Sequence, residues 1–295
     1  MKWMKGMFLL LTANILIMVT LSLTVPILIN VILPMFGIDL RGSVDLSTLV
    51  WAAMFGFGGA FISLAFSKQM ARAMLDCQRI IRPQSHAEQV IYGSVQEIAQ
   101  RLHITMPEVW VYDSPDPNAF ATGPSKNNSM VAVSSGLLQN LREDEVKAVL
   151  AHEMGHVYNG DMFATTVLAG LMNTFVFYIA MWVRRFFAER GQYALGFGLS
   201  IVLQIIVSIL ASIVISWFSR RREFRADAFS AKVYGKNSMI SALRAIDRWV
   251  TRSQFAYSTQ DALATMKISG RTGGMLSLFS THPPIEARIA ALERQ

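Results

Sequence analysis

Residues Glu143 to Asp161 read EDEVKAVLAHEMGHVYNGD. Three acids open the run, where the positive end of a helix favours negative charge, and Asn159-Gly160 closes it with residues that tolerate a left-handed turn. Between those ends Val146, Val149, Leu150 and Val157 keep helical spacing. The stretch therefore reads as a helix, and His152 and His156, four apart, project from one face. Two neutral imidazoles so placed can reach a single Zn²⁺ at about 2.0–2.1 Å. Glu153, next to the first histidine, is positioned to take a proton from a water whose pKa the ion lowers to about 7. A purely structural zinc has no use for such a base. The pattern thus favours metal-assisted hydrolysis over the competing reading, a catalytically silent metal-binding membrane scaffold or chaperone.

A catalytic zinc takes three protein ligands and leaves one position open. Met162 stands where the longer metzincin spacing needs a histidine, which closes that route. Glu223 and Asp227 are four apart on a helix that leaves the last apolar segment. They offer a carboxylate ligand and a second carboxylate on the same face to orient a ligand histidine. Asp161 competes for the third position, although its place at a helix stop suits a cap or a group that orients a ligand. The bland reading of Glu223 and Asp227 is an ion-paired helix face with Arg220, Arg221, Arg222 and Arg225.

Working outward, the chain has 295 residues, 53% of them apolar and 16% charged, too little polarity for a soluble protein of this size. Four apolar stretches, Met7 to Leu33, Leu49 to Phe66, Met162 to Val183 and Ala194 to Phe218, are about 27 to 40 Å long at helical rise, against roughly 30 Å of hydrocarbon. Four transmembrane helices are expected. The first, behind Lys2 and Lys5, reads as retained, because no small-residue cleavage site follows it. Lys68, Arg72, Arg79 and Arg82 follow the second segment, so the positive-inside rule puts both ends of that first hairpin in the cytoplasm. Ala52, Gly56 and Ala60, four apart, mark a helix face that a neighbouring backbone can approach closely. The net charge of +7 sits beside the apolar segments, as lipid headgroup anchors would, and no nucleic-acid motif accompanies it. Cys77, the only cysteine, excludes an internal disulfide and a multi-cysteine metal site. The apolar segments hold almost no ionisable residue at their centres, which argues against a transporter.

The expected organisation is an N-terminal transmembrane hairpin at 1–66 and a cytoplasmic catalytic part at 67–161. A second hairpin follows at 162–218, and a cytoplasmic part at 219–295 supplies the third ligand. Within 67–161 the pattern predicts a helix near Ala87 to Leu102, strands at Val109–Tyr112 and Met130–Val133, and a Pro/Asn/Gly-rich turn region between them. Helices near Ser238 to Thr251 and after Pro283-Pro284 complete a small α+β unit, and Gly235 suits a helix stop.

Four motifs now stand together: Asn118-Ala119-Phe120-Ala121-Thr122-Gly123; Ala151 to His156 with Gly160-Asp161; Arg222-Glu223-Phe224-Arg225-Ala226-Asp227; and Ser280-Thr281-His282-Pro283-Pro284 with Arg288. Through them the chain resembles the HtpX group of bacterial heat-shock membrane proteases, relatives of the CAAX prenyl proteases, over essentially its whole length. The resemblance implies an α-helical integral membrane protein carrying a gluzincin-like α+β zinc metalloprotease domain. It further implies one Zn²⁺ per chain, with Glu223 joining His152 and His156 as ligands. Localisation to the bacterial inner membrane, a catalytic part in the cytoplasm, and misfolded or damaged membrane proteins as substrates also follow from it. It suggests that Asn118, Ala119 and Phe120 border the substrate cleft, where the residues alone equally fit a loop with a buried Phe120. It hints that His282 and Arg288 steady an oxyanion, where capping and ion pairing are the plain alternative.

Overall fold

The structure, a computed structural model, describes residue 27, residues 31–35, residue 37, residues 46–256 and residues 282–295. Most of the first apolar segment, and Ser280-Thr281, lie outside the described residues. The chain divides into two compact units. One gathers described residues up to Ser63 with Thr166–Ser212, the other Leu64–Thr165 with Ile213–Gln295.

The described residues contain three helices long and apolar enough to cross a membrane: Thr48–Ala65 within α1 (Leu46–Ala65), α6 (Asp161–Ala188) and α7 (Tyr193–Tyr234). Those of the first unit turn large apolar side chains outward, including Trp51, Phe55, Leu195, Ile205 and Leu210. Such a surface suits lipid and is costly in water. Inside that unit, the small-residue face of α1 meets another helix: Ala52 is fully buried, and a Cβ on Gly56 would come 2.5 Å from the Thr174 backbone nitrogen. The close backbone approach that small residues permit is therefore used.

The second unit is built on a four-stranded mixed sheet of β1 (Gln78–Arg79), β2 (Glu108–Tyr112), β3 (Ala119–Ser125) and β4 (Asn128–Ser134), in the order β1-β2-β4-β3. β2 and β4 are parallel, with Trp110 opposite Ala132, and β3 returns antiparallel to β4, with Phe120 opposite Ala132. β4 is central and buried for six of its seven residues, and β3 forms an edge. The region expected to be turn is thus largely strand. Pairing with β4 overrides the poor strand propensity of Gly123 and Pro124, and the register shifts between Thr122 and Ser125 to accommodate them. β1, only two residues long, and α4 (Ser135–Asn140), only six, are too short to show a period, whereas α2 (Ser67–Leu75) is an amphipathic helix beyond those expected from the sequence.

Helices α3 (His86–Arg101), α5 (Glu143–Asn159), α8 (Lys236–Ala256) and α9 (Ile285–Glu293) share one core in this unit. It joins Ile91, Val95 and Ile98 of α3 to Val146, Leu150 and Met154 of α5 and to Met239 and Leu243 of α8. α5 begins where Glu145 accepts a hydrogen bond from the Arg142 backbone N–H at 2.8 Å, and it ends on Gly160 at φ +69°. These caps and the buried face fix the rotation of α5, which aims His152 and His156 away from the core side.

Candidate metal centre and active site

α5 presents His152 and His156 with their Nε2 atoms 3.2 Å apart. The polar end of α7 brings Glu223 to them, with Oε2 3.4 Å from His152 Nε2 and Oε1 3.3 Å from His156 Nε2. A small ion held tetrahedrally at about 2.0–2.1 Å separates its ligand atoms by about 3.3 Å. The three donors fit that geometry, and their two nitrogens and one carboxylate suit a divalent cation. Asp161 does not join them. Its Oδ2 instead accepts from His156 Nδ1 at 2.7 Å, while Asp227 Oδ1 lies 2.9 Å from His152 Nδ1. Each carboxylate takes the Nδ1 hydrogen of its imidazole, which turns Nε2 to the centre as the nitrogen left to bind an ion.

The surrounding charge explains the arrangement. Burial disfavours the charged form of His156, but hydrogen bonds to Asp161 and Glu223 outweigh it and raise the group to about 10 when no ion is present. His152 is likewise raised: burial opposes the charge, and Asp227 and Glu223 overcome it. A cluster that holds protons this firmly is over-supplied with negative charge, the condition under which a cation replaces the protons.

Glu223 is only 3% exposed and faces the histidines, so the ion-paired surface face with neighbouring arginines does not form. Arg225 reaches Asp161 at 3.8 Å, and Arg222 is buried. From α9, Arg288 is also buried and clamps Asp227 through two hydrogen bonds, Nε to Oδ2 at 2.8 Å and Nη2 to Oδ1 at 2.6 Å. Burial works against its charge, and Asp227 holds it cationic nonetheless. The contacts of Arg288 are thus those of a buried ion pair with Asp227. His282 Nδ1 lies 2.7 Å from Glu223 Oε2, which puts it at the rim of the same cluster.

Glu153 is half-buried and, with His156, lines an open cavity that Ala121 of β3 also borders. Asn118 precedes that strand and donates from Nδ2 to the Tyr112 hydroxyl at 2.8 Å, and the Phe120 ring packs on Tyr112 with centroids 5.9 Å apart. Asn118 and Phe120 therefore anchor the strand, while Ala121 carries it past Glu153. Sequence reasoning missed Thr165, Ser219 and Arg222 as cavity residues. A signal existed in Ser219, four positions before Glu223 and so on the same helical face.

An apolar unit with membrane-length helices and a His₂Glu centre beside a free carboxylate define a membrane metallopeptidase. The profile of Peptidase family M48 matches residues 85–295. The chain belongs to that family. Protease HtpX of Idiomarina loihiensis is 44% identical over 298 residues, spanning 99% of this chain and all of its own length. Protease HtpX of Tolumonas auensis is 46% identical over 301 residues, covering 98% of this chain and 99% of its own. The crystal structure of S. mikatae Ste24p is similar with a TM-score of 0.62 at 20% identity, over 96% of this chain. This chain spans 66% of that larger protein, and the likeness is one of fold.

Proposed function

We propose that the chain is a zinc-dependent endopeptidase holding one Zn²⁺ through His152, His156 and Glu223, with Glu153 as general base. The observation that carries this is the convergence of the three residues: the two Nε2 atoms are 3.2 Å apart, the two oxygens of Glu223 lie 3.4 and 3.3 Å from them, and one ligand atom from each residue falls within 4.8 Å of the others. The ion, when bound, supplies a Lewis acid that lowers the pKa of a coordinated water to about 7. Glu153 takes the proton as the water attacks the peptide carbonyl, then returns it to the departing amine. Asp161 and Asp227 keep the imidazoles aligned through the cycle, and Arg288 keeps Asp227 in place. The substrate lies extended along the edge strand β3, adding to the sheet through backbone hydrogen bonds. His282, at the rim, steadies the carbonyl oxygen as it gains charge.

The substrates are misfolded or damaged membrane proteins, and the site faces the cytoplasm of a bacterium from its inner membrane. The supports are the resemblance to the HtpX proteases and the basic residues Lys68, Arg72, Arg79 and Arg82 that follow the second apolar segment. The test pairs zinc content with cleavage of casein and of a membrane-protein substrate, with and without chelator. One zinc per chain and activity that a chelator abolishes and zinc restores are expected. Chelator-resistant cleavage would remove the metal from the mechanism.

A further inference from the structure

A cavity of about 150 Å³ opens beside the general base. Its wall includes Ala121 of β3, Glu153 and His156 of α5, Thr165 of α6, and Ser219 and Arg222 of α7. The unusual member is Arg222, which is 4% exposed. Its Nη1 donates to the Asp161 main-chain oxygen, and its guanidinium stands 4.8 Å from the Phe218 ring. Its Nε is buried and has no hydrogen-bond partner. Burying a cation with part of its donor fork unused is costly, and an acceptor entering the cavity beside it would recover part of that cost.

The nearest anion does not meet that need. Asp161 gives Oδ2 to His156, and its Oδ1 is 3.9 Å from Arg222 Nη1 and 3.8 Å from Arg225 Nη2, beyond hydrogen-bonding distance of either. Thr165 donates its hydroxyl to the same Asp161 carbonyl oxygen that Arg222 uses, which leaves the threonine oxygen able to accept. The cavity thus offers a buried cationic donor and hydroxyl groups, within reach of a strand edge on which a peptide can lie.

We propose that this cavity is a specificity subsite for a side chain flanking the scissile bond. There Arg222, with Thr165 and Ser219, selects a carboxamide, Asn or Gln, over an aliphatic side chain of similar size. The amide oxygen accepts from the Arg222 guanidinium, and the amide N–H₂ donates to the hydroxyl oxygens. Leu, close in shape to Asn, leaves those groups desolvated and unpaired. Asp and Glu rank below the amides, because they bring a full charge beside Glu153 and Asp161.

This rests on the peptidase reading, and the experiment separates the two. Zinc-loaded full-length protein in detergent is given fluorogenic peptides with Asn, Asp or Leu at each position flanking the bond. The same peptides are titrated into the Glu153→Gln variant and followed by fluorescence anisotropy. A charged hydrogen bond gained or lost corresponds to about a 10- to 100-fold preference for Asn over Leu at one position, in kcat/KM and in binding. Arg222→Met, and independently Thr165→Val and Ser219→Ala, should shrink the ratio while zinc content is unchanged. Leu peptides cleaved and bound as well as Asn peptides, or a ratio that none of the three variants changes, would overturn the subsite. Zinc-bound protein that cleaves no peptide would instead sink the peptidase reading, and the anisotropy ratio then decides the cavity by itself.

Discussion

Each imidazole at the centre is polarised from behind by an aspartate, so removal of any one carboxylate has its own signature. Glu153→Gln leaves the donors of His152, His156 and Glu223 in place and removes only the proton acceptor. The variant should hold zinc as the wild type does and cleave about 10²- to 10⁴-fold more slowly, checked by metal analysis beside a casein assay. Glu223→Ala takes away a carboxylate whose Oε2 is 3.4 Å from His152 Nε2 and whose Oε1 is 3.3 Å from His156 Nε2, and should lose metal and activity together. Asp161→Ala removes the partner of His156 Nδ1, together with the carboxylate 3.8–3.9 Å from Arg225 and Arg222, but no metal ligand, and zinc affinity should fall by about 10- to 100-fold. The reverse order in a chelator competition would move the ligand role to Asp161. The raised pKa of His156, about 10 against 6.5 for the free group, adds a proton account. A pKa raised on folding contributes stability that is fully present below the unfolded value and lost as pH climbs through the folded one. The metal-free protein should therefore lose stability as pH rises from about 6.5 to about 10 and level off above it. At pH 8, zinc binding must expel that proton. Calorimetric titrations in buffers of different ionisation enthalpy should show release of about one proton or more per ion, and buffer-independent heats would contradict this.

At the scale of elements, the centre exists because α5 and α7 approach closely at Gly155. A Cβ there would stand 3.1 Å from Phe229 Cδ1 and 3.4 Å from the Ala226 Cα, so alanine asks for a shift of a few tenths of an ångström and leucine for separation of the helices. Gly155→Ala should bind zinc nearly as the wild type does. Gly155→Leu should cost about 1–3 kcal/mol in stability and weaken zinc binding, since Glu223 rides on the displaced helix. Chemical denaturation beside chelator competition reads both; an overpacked variant with intact affinity would show that α5 and α7 do not hold the ligands in register. The edge strand makes a parallel case. Gly123 sits at φ +146° where β3 shifts register, and a side chain there would collide with the backbone of Asn128 and Ser129.

For the whole molecule, the decisive question is which side of the membrane each connection occupies. Arg184 and Arg185 near the end of α6 and Arg190 just beyond it, against Glu189, give the turn between α6 and α7 a positive balance, which by itself favours the cytoplasm. The helices are nonetheless long enough to span, and arginine stems can lie in lipid with their heads at the boundary. With Cys77 replaced, a single cysteine at the exposed position Gln192 should react with an impermeant thiol reagent outside intact spheroplasts. A control cysteine at the exposed Gln139 should stay unmodified. Labelling at neither position until the membrane is opened would mean that α6 and α7 return without crossing.

The helix that carries the histidines was legible in the sequence because its determinants are local. Its acidic first turn, its glycine stop and its apolar spacing act within a few residues of one another, and Gly160 and Gly235 take the left-handed φ their positions require. The strands β2 and β4 were legible for the same reason, as alternating or unbroken apolar runs. What lay beyond sequence were choices between distant groups of equal chemistry. Glu223, well inside α7, and Asp161, at the start of α6, are both carboxylates, and only the packing of α7 on α5 brought one to the Nε2 atoms and left the other behind Nδ1. The pairing of Arg288 with Asp227, the edge position of β3 and the buried, half-satisfied Arg222 likewise belong to tertiary structure alone. Spacing along a chain constrains neighbours within a turn or two, whereas burial and the meeting of separate elements are decided by how the whole unit closes its core.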